Sequence, residues 1–193
     1  MRNILMLGVL LICSACAQLP PAPVPPAPFH NKQAVVFDID GTLTPEVADI
    51  FTARAKAAEV ANSIAAKGYQ IIYLTTRAAW FSPGIPAWLE ENQFPKGMIH
   101  VAQTTDDRRN PAVYKTTMLN QYIRLGWKIE YAFGDSDTDF IAYHNIGLPQ
   151  QRVFALRRAS YAVCQSGAWA KCLNGWEDYL QDASNLPEAR GGK

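Results

Sequence analysis

Asp38 and Asp40 stand one residue apart in VVFDIDGTLTP, after an apolar run and directly before Gly41 and Thr42. β-branched and aromatic residues bounded by Gly and Pro read as a buried strand, so both carboxylates emerge on one side where that strand ends. Two like charges so close repel each other, and the arrangement makes sense if a cation is shared between them. The stretch therefore predicts a metal. Three further polar clusters follow apolar runs: Thr75, Thr76 and Arg77 after IIYL, Lys115 in NPAVYKTTML, and Asp135, Asp137 and Asp139 in GDSDTD. Lys115 stands at the front of a predicted helix, where a point cation can face an oxyanion.

The elements that must position these residues are short apolar runs at 34–37, 71–75, 98–102, 129–134 and 153–156, alternating with helical patterns. Such alternation predicts an α/β fold with a parallel sheet. Ligands of open parallel sheets bind beyond the carboxyl ends of the strands, which is where each cluster falls. Between the first two strands Val47, Ile50, Phe51, Ala58, Ala61, Ile64 and Ala65 recur at helical spacing. One helix is expected there, with Thr44 as cap, Pro45 in its first turn and Gly68 at its close. The intervals 43–70 and 78–114 leave no room for an inserted cap domain, so the site should lie open. Trp80, Phe81 and Trp88 are expected near its mouth, either as core residues or at a membrane interface. A last helix is expected over 176–181.

The order of the pieces resembles the haloacid dehalogenase (HAD) superfamily, and within it the catalytic domain of lipins, the magnesium-dependent phosphatidate phosphatases. FDIDGTLT, YLTTRA and FGDSDTDFIAYHNIGLPQQRVFAL carry the resemblance, which covers about 34–156. It implies a three-layer Rossmann-like fold with a central parallel sheet and no large cap domain. It further implies Asp38 as nucleophile and Asp40 as general acid and base. Thr75, Thr76 and Lys115 would hold the phosphoryl group. Asp38, Asp135, Asp139 and Asp40, the last through its backbone carbonyl, would hold Mg²⁺, a hard cation suited to oxygen ligands. Asp137 reads as a helix N-terminal residue complementing the dipole. His100 and His144 read as packing or solvated residues. The activity so implied is phosphomonoester hydrolysis through an aspartyl-phosphate, with a phosphatidate-like lipid as first substrate. A broad-specificity periplasmic acid phosphatase for nucleotides or sugar phosphates, and a lipid-head-group binding module without turnover, are the alternatives.

A chain of 193 residues, 49% apolar, suits one domain with a sizeable core. The formal charge of +1, with no Lys/Arg run longer than two, excludes the electrostatic footprint of a nucleic-acid binder. Residues 1–16 read as an export signal whose apolar run at 4–12 is shorter than the roughly 20 residues a membrane span needs. CSAC resembles the lipobox of bacterial lipoproteins, with Cys16 lipidated, while ACA at 15–17 fits an ordinary signal peptidase. The first implies a periplasmic, outer-membrane lipoprotein anchored by lipid, the second a soluble periplasmic or secreted protein. Residues 17–32 form a proline-dense linker, expected to stand off as a polyproline spacer. Residues 33–186 would be the phosphatase domain and 187–193 a frayed tail. Cys164 and Cys172 read as a disulfide with Gly167 turning the chain between them, two buried free thiols being the alternative.

Overall fold

The structure, a computed structural model, describes residues 18–189, so Cys16 and both expected cleavage positions lie outside the described residues. Val35, Val36 and Phe37 are all fully buried, with no polar alternation, so strand β1 (Gln33–Phe37) must be covered on both faces. It lies between β2 (Gln70–Thr75) and β4 (Lys128–Gly134), flanked in turn by β3 (Met98–Val101) and β5 (Val153–Leu156). A short edge strand, β6 (Lys171–Leu173), completes the order β3-β2-β1-β4-β5-β6, and every pairing is parallel. Strand β6 is three residues long, too brief to show a period, and sequence patterning missed it.

Helices cover both faces: α1 (Ala57–Ala66), α2 (Ile85–Glu91), α3 (Thr105–Arg109), α4 (Pro111–Arg124), α5 (Asp137–Asn145) and α6 (Leu180–Ser184). Val35, Phe37, Tyr73, Phe133 and Trp176 form one core with α1, α2 and α6. Val36, Ile72, Leu74, Tyr122, Phe140 and Tyr143 form the other with α4 and α5. The expected three layers are present. Strand order reverses direction at β1, which opens a crevice beyond the carboxyl ends of β1 and β4.

Three expectations are corrected. The helix expected from Pro45 begins only at Ala57. The Thr44 hydroxyl accepts from Gly41 N–H (2.9 Å) and donates to the Glu46 carbonyl (2.7 Å), which closes a turn instead of capping a helix. Arg54 Nη2 donates to the carbonyls of Pro45 (3.2 Å) and Arg157 (2.7 Å), fastening 45–54 to the connection after β5. Val47 and Phe51, expected inward, are each 48% exposed. Gly68 does follow the helix, with φ +88°.

The proline-dense segment does not stand off. From Gln18 to Lys32 it is a strap across the surface: Trp127 Nε1 donates to Pro25 O (2.8 Å) and Ala27 N–H to Leu125 O (2.9 Å). Val24 and Ala27 pack on the second core. A polyproline chain leaves its carbonyls unpaired, so it can satisfy donors on a neighbouring surface. The expected tail is likewise held over 187–189, where Ala189 N–H reaches Lys67 O (2.8 Å) and Tyr69 OH reaches Pro187 O (3.1 Å).

The helix expected over 176–181 is a 3₁₀ turn (Trp176–Tyr179) followed by α6. Cys164 and Cys172 are joined, with Cα atoms 5.9 Å apart, tying the connection after β5 to β6. Gly167 serves there by close approach: a Cβ would lie 2.3 Å from Phe140. Among the described residues no helix is long and apolar enough to cross a membrane.

Candidate active site

The backbone of β1 continues into Asp38, whose N–H donates to Phe133 O on β4 (3.0 Å). Its carboxylate is thereby delivered to the crevice, 4% exposed. Oδ1 accepts from Lys115 Nζ (2.6 Å) and Oδ2 from the Thr42 hydroxyl (3.0 Å). The chain then turns at Gly41, where φ is +88° and a Cβ would lie 2.2 Å from Asp135 Oδ2. Only glycine fits between the two acidic loops.

Asp40 points elsewhere. Its Oδ1 accepts from Arg77 Nε (2.9 Å) and forms an ion pair with Nη2 (2.7 Å), and its Oδ2 accepts from the Thr75 hydroxyl (2.6 Å). The hydroxyl expected to meet a phosphoryl oxygen is thus donated to Asp40. Thr76 is half-buried beside it and belongs to none of these hydrogen bonds.

From β4 come Asp135 and Asp139. Asp139 is the third residue of α5 and closes a capping box with Ser136, its Oδ2 accepting from Ser136 Oγ (2.7 Å) and from the Asp135 N–H (3.2 Å). Its Oδ1 accepts from Lys115, which therefore bridges Asp38 and Asp139. Asp135 accepts from Arg158 Nε. Asp137 lies in the first turn of α5, outside the cluster. His100 is buried against Tyr122, and His144 is exposed.

Burial pushes the Asp38 carboxyl well above the usual carboxylate range; Lys115 opposes this, and Asp139, Asp135 and Asp40 add to it. Asp135 is pushed up to about 6, by burial first and by Asp139, against the pull of Arg158 and Lys115. Burial disfavours the charged Lys115, yet Asp139 and Asp38 outweigh it and raise its pKa. Four carboxylates (38, 40, 135, 139) face three paired cations (77, 115, 158), which leaves one negative charge in excess. Oxygens of Asp38, Asp135 and Asp139 all lie within 4.8 Å of one another. An all-carboxylate, buried donor set with surplus negative charge fits a hard divalent cation such as Mg²⁺. The Asp40 carboxylate stays outside this trio, on Arg77 and Thr75.

Two side chains paired with the acidic residues escaped the reading of the sequence. Arg77 was visible in its cluster but without a role, and Arg158 was not singled out. The available signal for Arg158 was position alone: it follows the carboxyl end of β5 by two residues.

Solved structures share this architecture. A putative β-phosphoglucomutase from Thermotoga maritima matches with a TM-score of 0.52 at 14% identity, over 80% of this chain and 99% of that one. The Pnkp1/Rnl/Hen1 RNA repair complex matches with a TM-score of 0.56 at 16% identity, over 77% of this chain and 48% of that one. At such identities the likeness is of the fold alone, and the fold is that of the HAD phosphatases.

Within that class the family is defined by sequence. The family model described as "PITM 1-3, LNS2 domain" matches residues 35–157, and the chain belongs to this lipin-related family. Drosophila melanogaster protein retinal degeneration B is 32% identical over 181 residues, 88% of this chain and 13% of that protein. Mouse membrane-associated phosphatidylinositol transfer protein 3 is 29% identical over 68% of this chain and 14% of its own length. Human phosphatidate phosphatase LPIN3 is 27% identical over 65% of this chain and 18% of its own length. The chain thus spans less than a fifth of these relatives.

Proposed function

We infer that this chain is a Mg²⁺-dependent phosphomonoesterase working through an aspartyl-phosphate on Asp38, with a phosphatidate-like lipid as first substrate. The observation that carries the reading is the separation of the two carboxylates. Asp38 sits in the acidic trio against Lys115, while Asp40 is held apart on Arg77 and Thr75. A nucleophile and a proton carrier need those different surroundings. An Asp38 oxygen attacks phosphorus as the P–O bond to the leaving group breaks, and Asp40 passes a proton to the departing alkoxide. Asp40 then takes a proton from water, whose oxygen attacks phosphorus and frees Asp38. Lys115 offsets the charge gathered on Asp38 and the phosphoryl oxygens. Asp38, Asp135, Asp139 and the Asp40 carbonyl would hold Mg²⁺, which would supply Lewis-acid polarisation of a phosphoryl oxygen.

Lipid as the substrate class is supported by the names of the relatives, a phosphatidate phosphatase and phosphatidylinositol transfer proteins. The transfer-protein names also favour a second reading, a head-group binding module without turnover; the presence of both Asp38 and Asp40 weighs against it. Export and lipidation at Cys16 rest on the leader sequence and belong to the same proposal.

A phosphate-release panel with Mg²⁺ tests the reading, comparing phosphatidate in mixed micelles with nucleotides and sugar phosphates. Release from phosphatidate, lost in Asp38→Asn and in excess chelator and restored by Mg²⁺ better than by Ca²⁺, is expected. The asparagine cannot attack phosphorus, so the loss should be on the order of 10³-fold or more in kcat. Equal turnover of all substrates would favour the acid phosphatase, and binding without release the module.

A further inference from the structure

Large apolar side chains left in water are unevenly placed on this molecule. Val47 and Phe51 lie on the connection after β1, Trp80 and Phe81 on that after β2, Val113 in the first turn of α4 and Tyr161 after β5. These six of eleven exposed large hydrophobics among the described residues gather at the carboxyl ends of the strands, around the crevice that holds Asp38. Trp80 is 63% exposed on a 3₁₀ turn (Ala79–Gly84), its ring 6.0 Å from that of Phe81. Phe51 lies against Gly84 and over the Arg77 guanidinium, 5.4 Å from its centre, so it borders the residue that holds Asp40. A cluster of exposed aromatic side chains around a polar crevice marks a contact with something apolar.

A second observation concerns where the strap begins. Leu19 N–H donates to Ser82 Oγ (2.9 Å), on the turn that carries Trp80 and Phe81. Gln18 Nε2 donates to Ala102 O (3.1 Å); Ala102 N–H donates to Thr75 O (3.1 Å), and Thr75 OH to Asp40. The described chain therefore begins, two residues after Cys16, at the rim of the crevice and not at the opposite end of the sheet. The lipid proposed on Cys16 would bring this rim to the bilayer. Trp is the side chain best suited to the boundary between head groups and acyl chains.

We propose that the rim carrying Trp80, Phe81 and Phe51 is the surface by which this domain lies on a phospholipid bilayer, so that the crevice opens onto the head groups. The proposal rests on the reading of the site as one that meets a lipid-borne phosphate. It adds the orientation of the molecule and the residues that set it.

Tryptophan quenching by brominated lipid tests it without needing turnover. The full-length chain is mixed with vesicles of phosphatidylcholine and phosphatidylglycerol, with and without brominated acyl chains. Trp88, Trp127 and Trp176 are buried, and the half-buried Trp169 lies at the amino end of β5, where Ala170 N–H meets Val153 O, so a bilayer on the rim quenches Trp80 above all. The expected result is quenching in wild type and in Asp38→Asn, with most of it lost in Trp80→Phe. Quenching unchanged by Trp80→Phe, as contact through the leader alone would give, would overturn the proposal. So would Trp80 shielded from bromine in a dimer of the chain. In a Trp80→Ser/Phe81→Ser double variant, release from vesicle-borne phosphatidate should fall about tenfold relative to a water-soluble phosphomonoester. Equal rates on both would count against the rim, whereas loss of both in wild type would remove the catalytic reading and leave the quenching result standing.

Discussion

Arg77 is the side chain that holds the Asp40 carboxylate, and the proton transfer proposed above depends on it. It is 5% exposed, stacked between the rings of Phe51 and Trp88, and turns two nitrogens onto one oxygen of Asp40. The other oxygen is left to Thr75. A planar fork fixes a carboxylate in a way a lysine ammonium cannot. Arg77→Lys should therefore keep the fold and lower kcat by roughly 10- to 100-fold, with a smaller change in KM, a part of the roughly 10²- to 10⁴-fold that positioned proton transfer contributes. Steady-state kinetics check this, and an unchanged kcat would leave Arg77 as packing only. At this scale much was legible: the Asp-x-Asp spacing, Lys115 and the pair Asp135 and Asp139 were read from residue type and position. The hydrogen bond from Thr75 to Asp40 and the pairing of Arg158 with Asp135 were not, because each joins loops far apart in sequence.

Between elements, His100 on β3 meets the Tyr122 hydroxyl of α4 at 2.5 Å, and Tyr122 OH also reaches Met98 Sδ (3.3 Å). Burial pushes the His100 pKa down from the usual 6.5 to about 4. As pH falls from 6.5 towards 4, the unfolded chain takes up a proton that the folded chain refuses, so stability falls across that window. Below about 4 both states bind the proton and the loss is complete, at about 3 kcal/mol. Thermal melts from pH 7 to pH 4 should show a steeper fall in wild type than in His100→Asn, and parallel slopes would show that the ring is not the titrating group. Element existence was well read for five strands, since buried parallel strands are continuous apolar runs. The start of α1 was misread because the spacing of Val47, Ile50 and Phe51 imitates a helix. The turn at Thr44, the bonds from Arg54 and the left-handed Lys56 (φ 63°) decide otherwise, and the Arg54 bond to Arg157 O depends on the connection after β5.

Across the whole molecule, the disulfide fastens the edge strand β6 to the connection that supplies Arg158. In the chain-entropy model so short a loop is worth about 2.5 kcal/mol, or a Tm change of roughly 5–10 °C for a domain of this size. Cys164→Ser/Cys172→Ser should melt lower by that amount. Its catalytic rate below Tm should stay near wild type, since Ala159 N–H to Pro45 O (3.1 Å) and Ser160 N–H to Glu46 hold the connection beside Arg158 independently. A large rate loss would mean that the bond positions Arg158. The sequence by itself determined the α/β class, the strands that end in acid and the absence of room for a cap domain, because local apolar runs and fixed spacings carry those, while the choice of Asp38, Asp135 and Asp139 as a set came from the family resemblance. Tertiary structure alone decided that the proline-dense segment is a strap, that its first residues lie at the rim of the crevice, and that Asp40 is held by Arg77 while Asp38 is held by Lys115. Those outcomes rest on hydrogen bonds and packing between residues remote in the chain, and no local period records them.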